Sequence, residues 1–76
     1  MRCEKTKYYH DQFGEFVKGV RESRCLSQSE LANLIGATQS YISRIETGDR
    51  DIDLAVALKV CDVLNVDMKD FIDRLK

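Results

Sequence analysis

Apolar residues recur along much of the chain at spacings of three and four residues, the pattern of amphipathic helices. The first run, Phe13, Phe16, Val17 and Val20, occupies positions i, i+3, i+4 and i+7 and predicts a helix with one apolar face. Later runs predict further helices in the same way. Their apolar positions are Leu31, Leu34 and Ile35, then Ile42 and Ile45, then Leu54, Ala57, Leu58, Cys61 and Leu64, and finally Met68, Phe71, Ile72 and Leu75.

Short polar residues stand immediately before the later runs, where a helix needs acceptors for its first N–H groups. Ser27 is followed three residues later by Glu30, which is the pattern of a capping box. Thr38, Asp53 and Asp67 are the N-cap candidates of the next three helices. These residues predict where each of the later helices begins.

The first nine residues mix charges with Tyr8 and Tyr9 and show no helical period. We therefore expect residues 1–9 to form a flexible N-terminal arm and residues 10–76 to form a single domain. Within the first helix, Gly14 and Gly19 each lower the helix propensity by roughly 1 kcal/mol relative to alanine.

Composition narrows the class of protein. The chain has no 18-residue apolar run and no apolar stretch after its first residues, so we expect neither a membrane span nor a secretory signal. Cys3, Cys25 and Cys61 form neither a CxxC pair nor an even set, which fits the reducing cytoplasm. The one histidine, His10, has no Cys or His at ligand spacing, so no metal site or cofactor is expected.

The formal net charge of −1 argues against a nucleic-acid partner, because such domains are often basic. The acidic excess lies in the C-terminal third, however. Residues 1–50 hold eight Lys/Arg and seven Asp/Glu, whereas residues 51–76 hold four and six. A DNA-binding face needs only a local basic patch, which Arg44 and Arg50 could provide.

The segment from Ser27 to Gly48 has the form of two short helices joined by a tight turn at Gly36. With its surroundings it resembles the Cro/CI-type (lambda-repressor-like, XRE) helix-turn-helix family. The resemblance is carried in unbroken order by Phe13-Gly14-Glu15, Val20-Arg21-Glu22, Leu26-Ser27-Gln28, Glu30-Leu31-Ala32, Tyr41-Ile42-Ser43-Arg44-Ile45-Glu46, Gly48, Leu64 and Val66. Cys25 stands where the family usually has glycine, and a residue with a Cβ is strained there if the backbone is left-handed. Asn65 also replaces a glycine of the family, but asparagine tolerates the left-handed conformation well.

This resemblance implies an all-α, five-helix DNA-binding domain in which helices 2 and 3 form the helix-turn-helix and helix 3 enters the major groove. The family reads bases at Gln39, Ser40, Ser43 and Arg44. It binds phosphates at Gln28, Thr38 and Tyr41 and in the loop that holds Thr47 and Arg50, although Asp49 and Asp51 beside Arg50 would repel DNA. A glutamine amide can pair with adenine and an arginine with guanine.

Two further assignments concern packing. The resemblance implies a structural pair between Arg21 of helix 1 and Glu46 at the end of helix 3, largely out of water, which would fix the angle of the reading helix. The apolar stripe of the last helix is longer than a bundle-closing helix requires. We therefore assign Phe71 to the core and predict that Ile72 and Leu75 form a dimer interface.

An enzyme is not expected, because the serines have no histidine and paired aspartate arranged as base and orienter. We expect a sequence-specific DNA-binding transcriptional regulator, a repressor, that binds a pseudo-palindromic operator in double-stranded DNA as a homodimer. Its half-sites would lie roughly 34 Å apart. Activation of transcription through contact with RNA polymerase is the alternative to repression. The sequence is compatible both with a restriction–modification controller and with a phage regulator.

The alternative from another class is an antitoxin or protein-interaction module whose main partner is another protein, such as a toxin. The acidic net charge favours it. Such a protein would bind its partner through the last helix or through Tyr8 and Tyr9, and substitutions in helix 3 would matter little.

Overall fold

Five α-helices and no strand make up the described part of the chain, residues 4–75, in a computed structural model. The helices are α1 (Glu4–Ser23), α2 (Gln28–Ile35), α3 (Gln39–Thr47), α4 (Leu54–Leu64) and α5 (Met68–Arg74). The predicted all-α, five-helix class is confirmed. Within residues 4–75, no helix has a stretch long and apolar enough to cross a membrane.

The helix starts follow from the predicted caps. The hydroxyl of Ser27 accepts a hydrogen bond from the N–H of Glu30 at 3.0 Å, and the Glu30 carboxylate accepts one from the N–H of Ser27 at 2.8 Å. These bonds complete the capping box, and the bond from the Ser27 backbone holds the pKa of Glu30 below its usual value. Thr38 and Asp53 each accept from the N–H three residues on, at 3.2 and 2.9 Å.

The helices α2, α3 and α4 each end at a residue in the left-handed conformation. Gly36 and Gly48 have φ of 72° and 78°, and Asn65 has φ of 58°. Cys25, after α1, also adopts φ of 58°, a conformation that a residue with a Cβ resists. The strain that the sequence predicts at Cys25 is therefore present in the backbone.

The core lies where α3 is packed against both α1 and α2 and where α5 covers α1 and α4. Its most completely buried side chains are Val17, Leu31, Ile42, Ile45, Val60 and Leu64. The ring of Phe71 on α5 lies 5.2 Å from that of Phe13 and 5.5 Å from that of Phe16, measured between centroids. This aromatic cluster attaches the last helix to the first.

The structure corrects the predicted N-terminal arm, because α1 begins at Glu4 rather than after residue 9. Lys7 explains the difference. Its Nζ lies 2.8 Å from Oδ1 of Asp11 one turn along and donates to the carbonyl oxygen of Gly48 at 3.3 Å. The first turns of α1 are therefore attached to the C-terminal end of α3, where a cation is favourable. Residues 1–3 of the predicted arm lie outside the described residues.

Three leucines that the periodicity placed on apolar faces are exposed. Leu34, Leu54 and Leu58 retain 56%, 69% and 50% of their accessible surface. On α4 the inward face is rotated toward Val60, which the predicted stripe omitted. The buried positions of this helix are Ala57, Val60, Cys61 and Leu64.

Candidate nucleic-acid interface

The spacing of apolar residues in α3 determines which of its side chains reach the surface. Ile42 and Ile45 are fully buried against α1 and α2. The four residues predicted to read bases lie at the other positions of this short helix. Gln39, Ser40 and Arg44 are exposed, and Ser43 is half-buried. This surface carries amide, hydroxyl and guanidinium groups, all of which can hydrogen-bond to base edges.

Several of the predicted DNA contacts line one shallow pocket of about 210 Å³ at the start of α3 and the loop after it. Its lining residues are Thr38, Ser40, Tyr41, Arg44 and Arg50. The guanidinium carbon of Arg50 lies 4.6 Å from the centroid of the Tyr41 ring, a cation–π distance. Two arginines and several hydroxyl groups thus converge where a phosphate group could be bound.

The acidic neighbours of Arg50 are directed to other groups. The Asp49 carboxylate accepts a hydrogen bond from the Thr47 hydroxyl at 3.1 Å. The Asp51 carboxylate lies 3.4 Å from Nε2 of His10 on α1. A hydroxyl donor leaves the negative charge of Asp49 in place, so the repulsion of DNA at this loop stays a prediction. The Thr47 hydroxyl, a predicted phosphate contact, also lies 3.2 Å from the carbonyl oxygen of Arg44, so its single O–H must leave both acceptors before it can donate to DNA.

Gln28 and Gln39, predicted to bind phosphate and base respectively, are in direct contact. Nε2 of Gln39 donates to Oε1 of Gln28 at 2.5 Å, and Nε2 of Gln28 donates to Oε1 of Glu46 at 3.0 Å. The first residue of α3 is thereby linked to the last turn of the same helix through a residue of α2.

Glu46 is also the partner of Arg21. Nε of Arg21 lies 2.6 Å from Oε2 of Glu46, and Nη2 lies 3.1 Å from Oε1. Nη1 donates to the carbonyl oxygen of Leu26 at 2.7 Å. The two charged side chains are only 9% and 3% exposed, and the hydrogen bond to Glu46 raises the pKa of Arg21. The pair sets the position of α3 relative to α1.

The sequence marks Gly14 only as a helix-weakening residue, whereas the structure places it in contact with α3. A Cβ on Gly14 would collide with the carbonyl oxygen of Ile45 and lie 2.6 Å from that of Glu46. Gly14, Val17 and Arg21 occupy positions i, i+3 and i+7, so they share the face of α1 that meets α3. Because Arg21 is predicted to pair with Glu46 of α3, its position on the same face of α1 as Gly14 is the signal that could have identified the contact between Gly14 and α3.

Arg24 is a second residue whose role sequence analysis did not find. Its Nε donates to the carbonyl oxygen of Leu64 at 2.6 Å and so caps the C-terminal end of α4. No local sequence pattern reports this bond, because it joins residues 40 positions apart.

The predicted dimer residues have different environments. Ile72 is 48% exposed, whereas Leu75 is half-buried and packs partly against the core. An open apolar pocket of about 300 Å³ lies nearby, between the first turns of α1 and the helices α4 and α5. In the part of the chain that the structure describes, no group of three His, Cys, Asp or Glu residues is arranged to hold a metal ion.

The sequence and the fold are similar to those of known helix-turn-helix proteins. The helix-turn-helix family model matches residues 17–71. An HTH-type transcriptional regulatory protein of Pyrococcus abyssi is 35% identical over 63 residues, which are 83% of this chain, and the chain spans 20% of the length of that protein.

Two smaller proteins match over most of both chains. The control protein C.BamHI of Bacillus amyloliquefaciens is 37% identical over 62 residues, which are 80% of this chain and 76% of that protein. The crystal structure of the restriction-modification controller protein C.AhdI from Aeromonas hydrophila superposes with a TM-score of 0.79. That match has 29% sequence identity and covers 86% of this chain and 94% of the other.

These matches confirm the resemblance found in the sequence. The family model covers well over half of the chain, including both helices of the motif. The protein therefore belongs to the Cro/CI-type helix-turn-helix family of transcriptional regulators.

Proposed function

We propose that the protein is a sequence-specific DNA-binding transcriptional regulator that places α3 in the major groove. The observation that carries the proposal is the surface of α3. Gln39, Ser40 and Arg44 are exposed on a helix whose apolar residues are fully buried, so the fold presents these side chains without loss of packing. An amide suits adenine, a guanidinium suits guanine, and a short serine fits against either base edge. Ser43 lies at the margin of the same surface.

Contacts with phosphate groups would position this helix. Arg50 on the Tyr41 ring, together with Thr38, provides donors at one end of α3. At the other flank, Gln28 is the first residue of α2, where helix N–H groups favour an anion. Thr47 joins these contacts once its hydroxyl leaves Asp49 and the carbonyl oxygen of Arg44.

Binding as a homodimer to a pseudo-palindromic operator completes the proposal. Ile72 and Leu75 of the last helix are the predicted interface residues, and Ile72 is exposed. Leu54 and Leu58 of α4 are exposed as well, so apolar side chains are available for a second copy to cover. Half-sites roughly 34 Å apart would then fit one helical turn of DNA.

Of the regulator types that fit, we favour a restriction–modification controller acting in the cytoplasm, because C.BamHI and C.AhdI match over most of both chains. Repression would follow from occupying a promoter, and activation would require contact with RNA polymerase. The toxin-binding alternative predicts instead that α3 is dispensable.

Selection from a random duplex DNA pool tests the function. The protein is expected to enrich an inverted repeat, and a Gln39→Ala/Arg44→Ala variant is expected to lose it. The matched control, Lys59→Ala/Arg74→Ala, changes exposed residues of α4 and α5 and should enrich the same repeat. Weak binding without enrichment, unchanged by the α3 substitutions, would reject the proposal in favour of a protein partner.

Arg50→Ala tests the phosphate contact separately. Fluorescence anisotropy at several salt concentrations should show weaker binding to all sequences and a log–log salt slope reduced by about 1. Lys59→Ala, on the exposed side of α4, should leave the slope unchanged. An unchanged slope in Arg50→Ala would remove this residue from the interface.

A further inference from the structure

The first turns of α1 contact the loop between α3 and α4, which holds Arg50. We infer that Lys7 and His10 are positioning residues for DNA binding, because they hold this loop on both sides of Arg50 and so set where its guanidinium meets a phosphate group. This inference rests on the proposed function and deepens it, since it concerns how the fold presents the phosphate contact of Arg50.

The face of α1 that meets α3 continues into the first turns of the helix. Residues of this face recur at intervals of three and four, and they are Lys7, His10, Asp11, Gly14, Val17 and Arg21. The later part of the face packs on α3 itself, through the backbone contact of Gly14 and the buried pair of Arg21 with Glu46. The earlier part reaches the residues that follow α3. One helix therefore holds both α3 and the loop after it.

The contact on one side of Arg50 is made at Gly48. Nζ of Lys7 donates to the carbonyl oxygen of Gly48 at 3.3 Å and lies 2.8 Å from Oδ1 of Asp11, which keeps the lysine in place. Gly48 is buried, and a Cβ built on it would collide with the Asp11 carboxylate. The backbone two residues before Arg50 is therefore packed directly against α1, at a helix end where a cation is favourable.

The contact on the other side is made at Asp51. Nε2 of His10 lies 3.4 Å from Oδ1 of Asp51, a carboxylate that can accept from an imidazole N–H. The His10 side chain is only 15% exposed, so the imidazole is held between α1 and the loop. The next residue, Ile52, is half-buried and packs against the core. The backbone immediately after Arg50 is therefore held as well.

Arg50 itself is exposed, and its guanidinium carbon lies 4.6 Å from the centroid of the Tyr41 ring. An arginine on a mobile loop would lose much of its freedom on binding, and ordering one such side chain weakens affinity by roughly two- to tenfold. Because the loop backbone is held before DNA binds, Arg50 avoids part of this cost. Removing the contacts of Lys7 and His10 should restore the cost without changing Arg50 or Tyr41.

A double-mutant cycle with Arg50 tests the inference. Lys7→Met/His10→Phe removes both polar contacts and keeps side chains of similar size. Fluorescence anisotropy on the operator enriched by the wild-type protein should show an affinity about fivefold lower for this variant. In an Arg50→Ala background the same two substitutions should lower the affinity by less than about twofold, because no guanidinium is left to position. In an Arg44→Ala background the loss of about fivefold should remain.

Two controls accompany the cycle. Lys59→Met removes an exposed lysine of α4 and should not change the affinity. The salt dependence is measured in the Arg50→Ala background, where a direct phosphate contact by Lys7 or His10 would make the log–log slope fall by about 1 when that residue is substituted. A positioning role leaves this slope unchanged. Circular dichroism establishes that each variant is folded, and if the double variant is not, Lys7→Met and His10→Phe are each taken through the same cycle.

Three results would overturn the inference. They are an unchanged affinity in Lys7→Met/His10→Phe, a loss of the same size with and without Arg50, and a further fall in the salt slope when Arg50 is absent. In each case an enriched operator would still support the proposed function. Failure of the wild-type protein to enrich any sequence would instead reject the function itself.

Discussion

Arg21→Ala is expected to leave little folded protein at 25 °C. Removing the guanidinium strands the Glu46 carboxylate, whose side chain is 3% exposed, without its main partner. Breaking a buried pair in this way costs about 3–5 kcal/mol. Small domains have a free energy of unfolding of about 5 kcal/mol at the lower end of the usual range. Circular dichroism during thermal and urea denaturation would measure the loss.

The matched control is Arg74→Ala. Arg74 lies 3.7 Å from Glu15, and both side chains are largely exposed at 44% and 63%. Such an ion pair contributes little, so the free energy of unfolding should change by less than about 1 kcal/mol. If Arg21→Ala melts like Arg74→Ala, the buried pair does not hold α3 against α1.

The double variant Arg21→Met/Glu46→Leu separates a stranded charge from lost packing. It removes both charges and fills much of the same volume, so most of the stability lost in Arg21→Ala should return. A variant as unstable as Arg21→Ala would indicate that the shape of the pair, rather than its charge, matters.

Gly14→Ala is expected to have the second largest effect. Its added methyl group would collide with the carbonyl oxygen of Ile45 and lie 2.6 Å from that of Glu46, and neither backbone group can swing aside as a side chain would. Overpacking of this kind costs about 1–3 kcal/mol. Relief would require α3 to move away from α1, so affinity for the operator should fall as well.

Gly19→Ala makes the same chemical change in the same helix and is the control. No atom lies within 4 Å of a Cβ built there, so the gain in helix propensity should stabilise the protein by about 0.5–1 kcal/mol. The free energy of unfolding measured in urea should therefore fall in Gly14→Ala and rise in Gly19→Ala. Affinity for DNA should fall in Gly14→Ala and should rise or stay unchanged in Gly19→Ala. Equal stabilisation by both alanines would show that α1 and α3 are not in backbone contact at Gly14.

These two glycines illustrate what the sequence could and could not reveal. Both reduce helix propensity alike, and only the packing of α3 on α1 distinguishes them. The caps at Ser27 and Thr38 were predictable because each acts within a few residues of its own position. The contact between Gln28 and Gln39 joins two helices, and their separation in sequence carries no geometric information.

Two other differences between the predicted and observed structures also arise from contacts between helices. The spacing of apolar residues shows that α4 has an apolar face but not which residue lies at its middle, so the sequence predicts a buried Leu58 and does not identify the buried Val60. The start of α1 depends on the bond from Lys7 to the carbonyl oxygen of Gly48, which lies 41 residues away. The sequence therefore predicts the five helices, whereas contacts between helices determine where they begin and which side chains are buried.

The interleaving of buried and exposed positions in α3 also bears on how new specificities could evolve. Ser40 and Arg44 are exposed, so substitutions at these positions in related proteins would leave the packing of the core unchanged. Gln39 is different, because its amide is bonded to Gln28. A lineage that exchanged Gln39 would have to adjust Gln28 in step, so related regulators should diverge first at the serine and arginine positions and only in concert at the two glutamines.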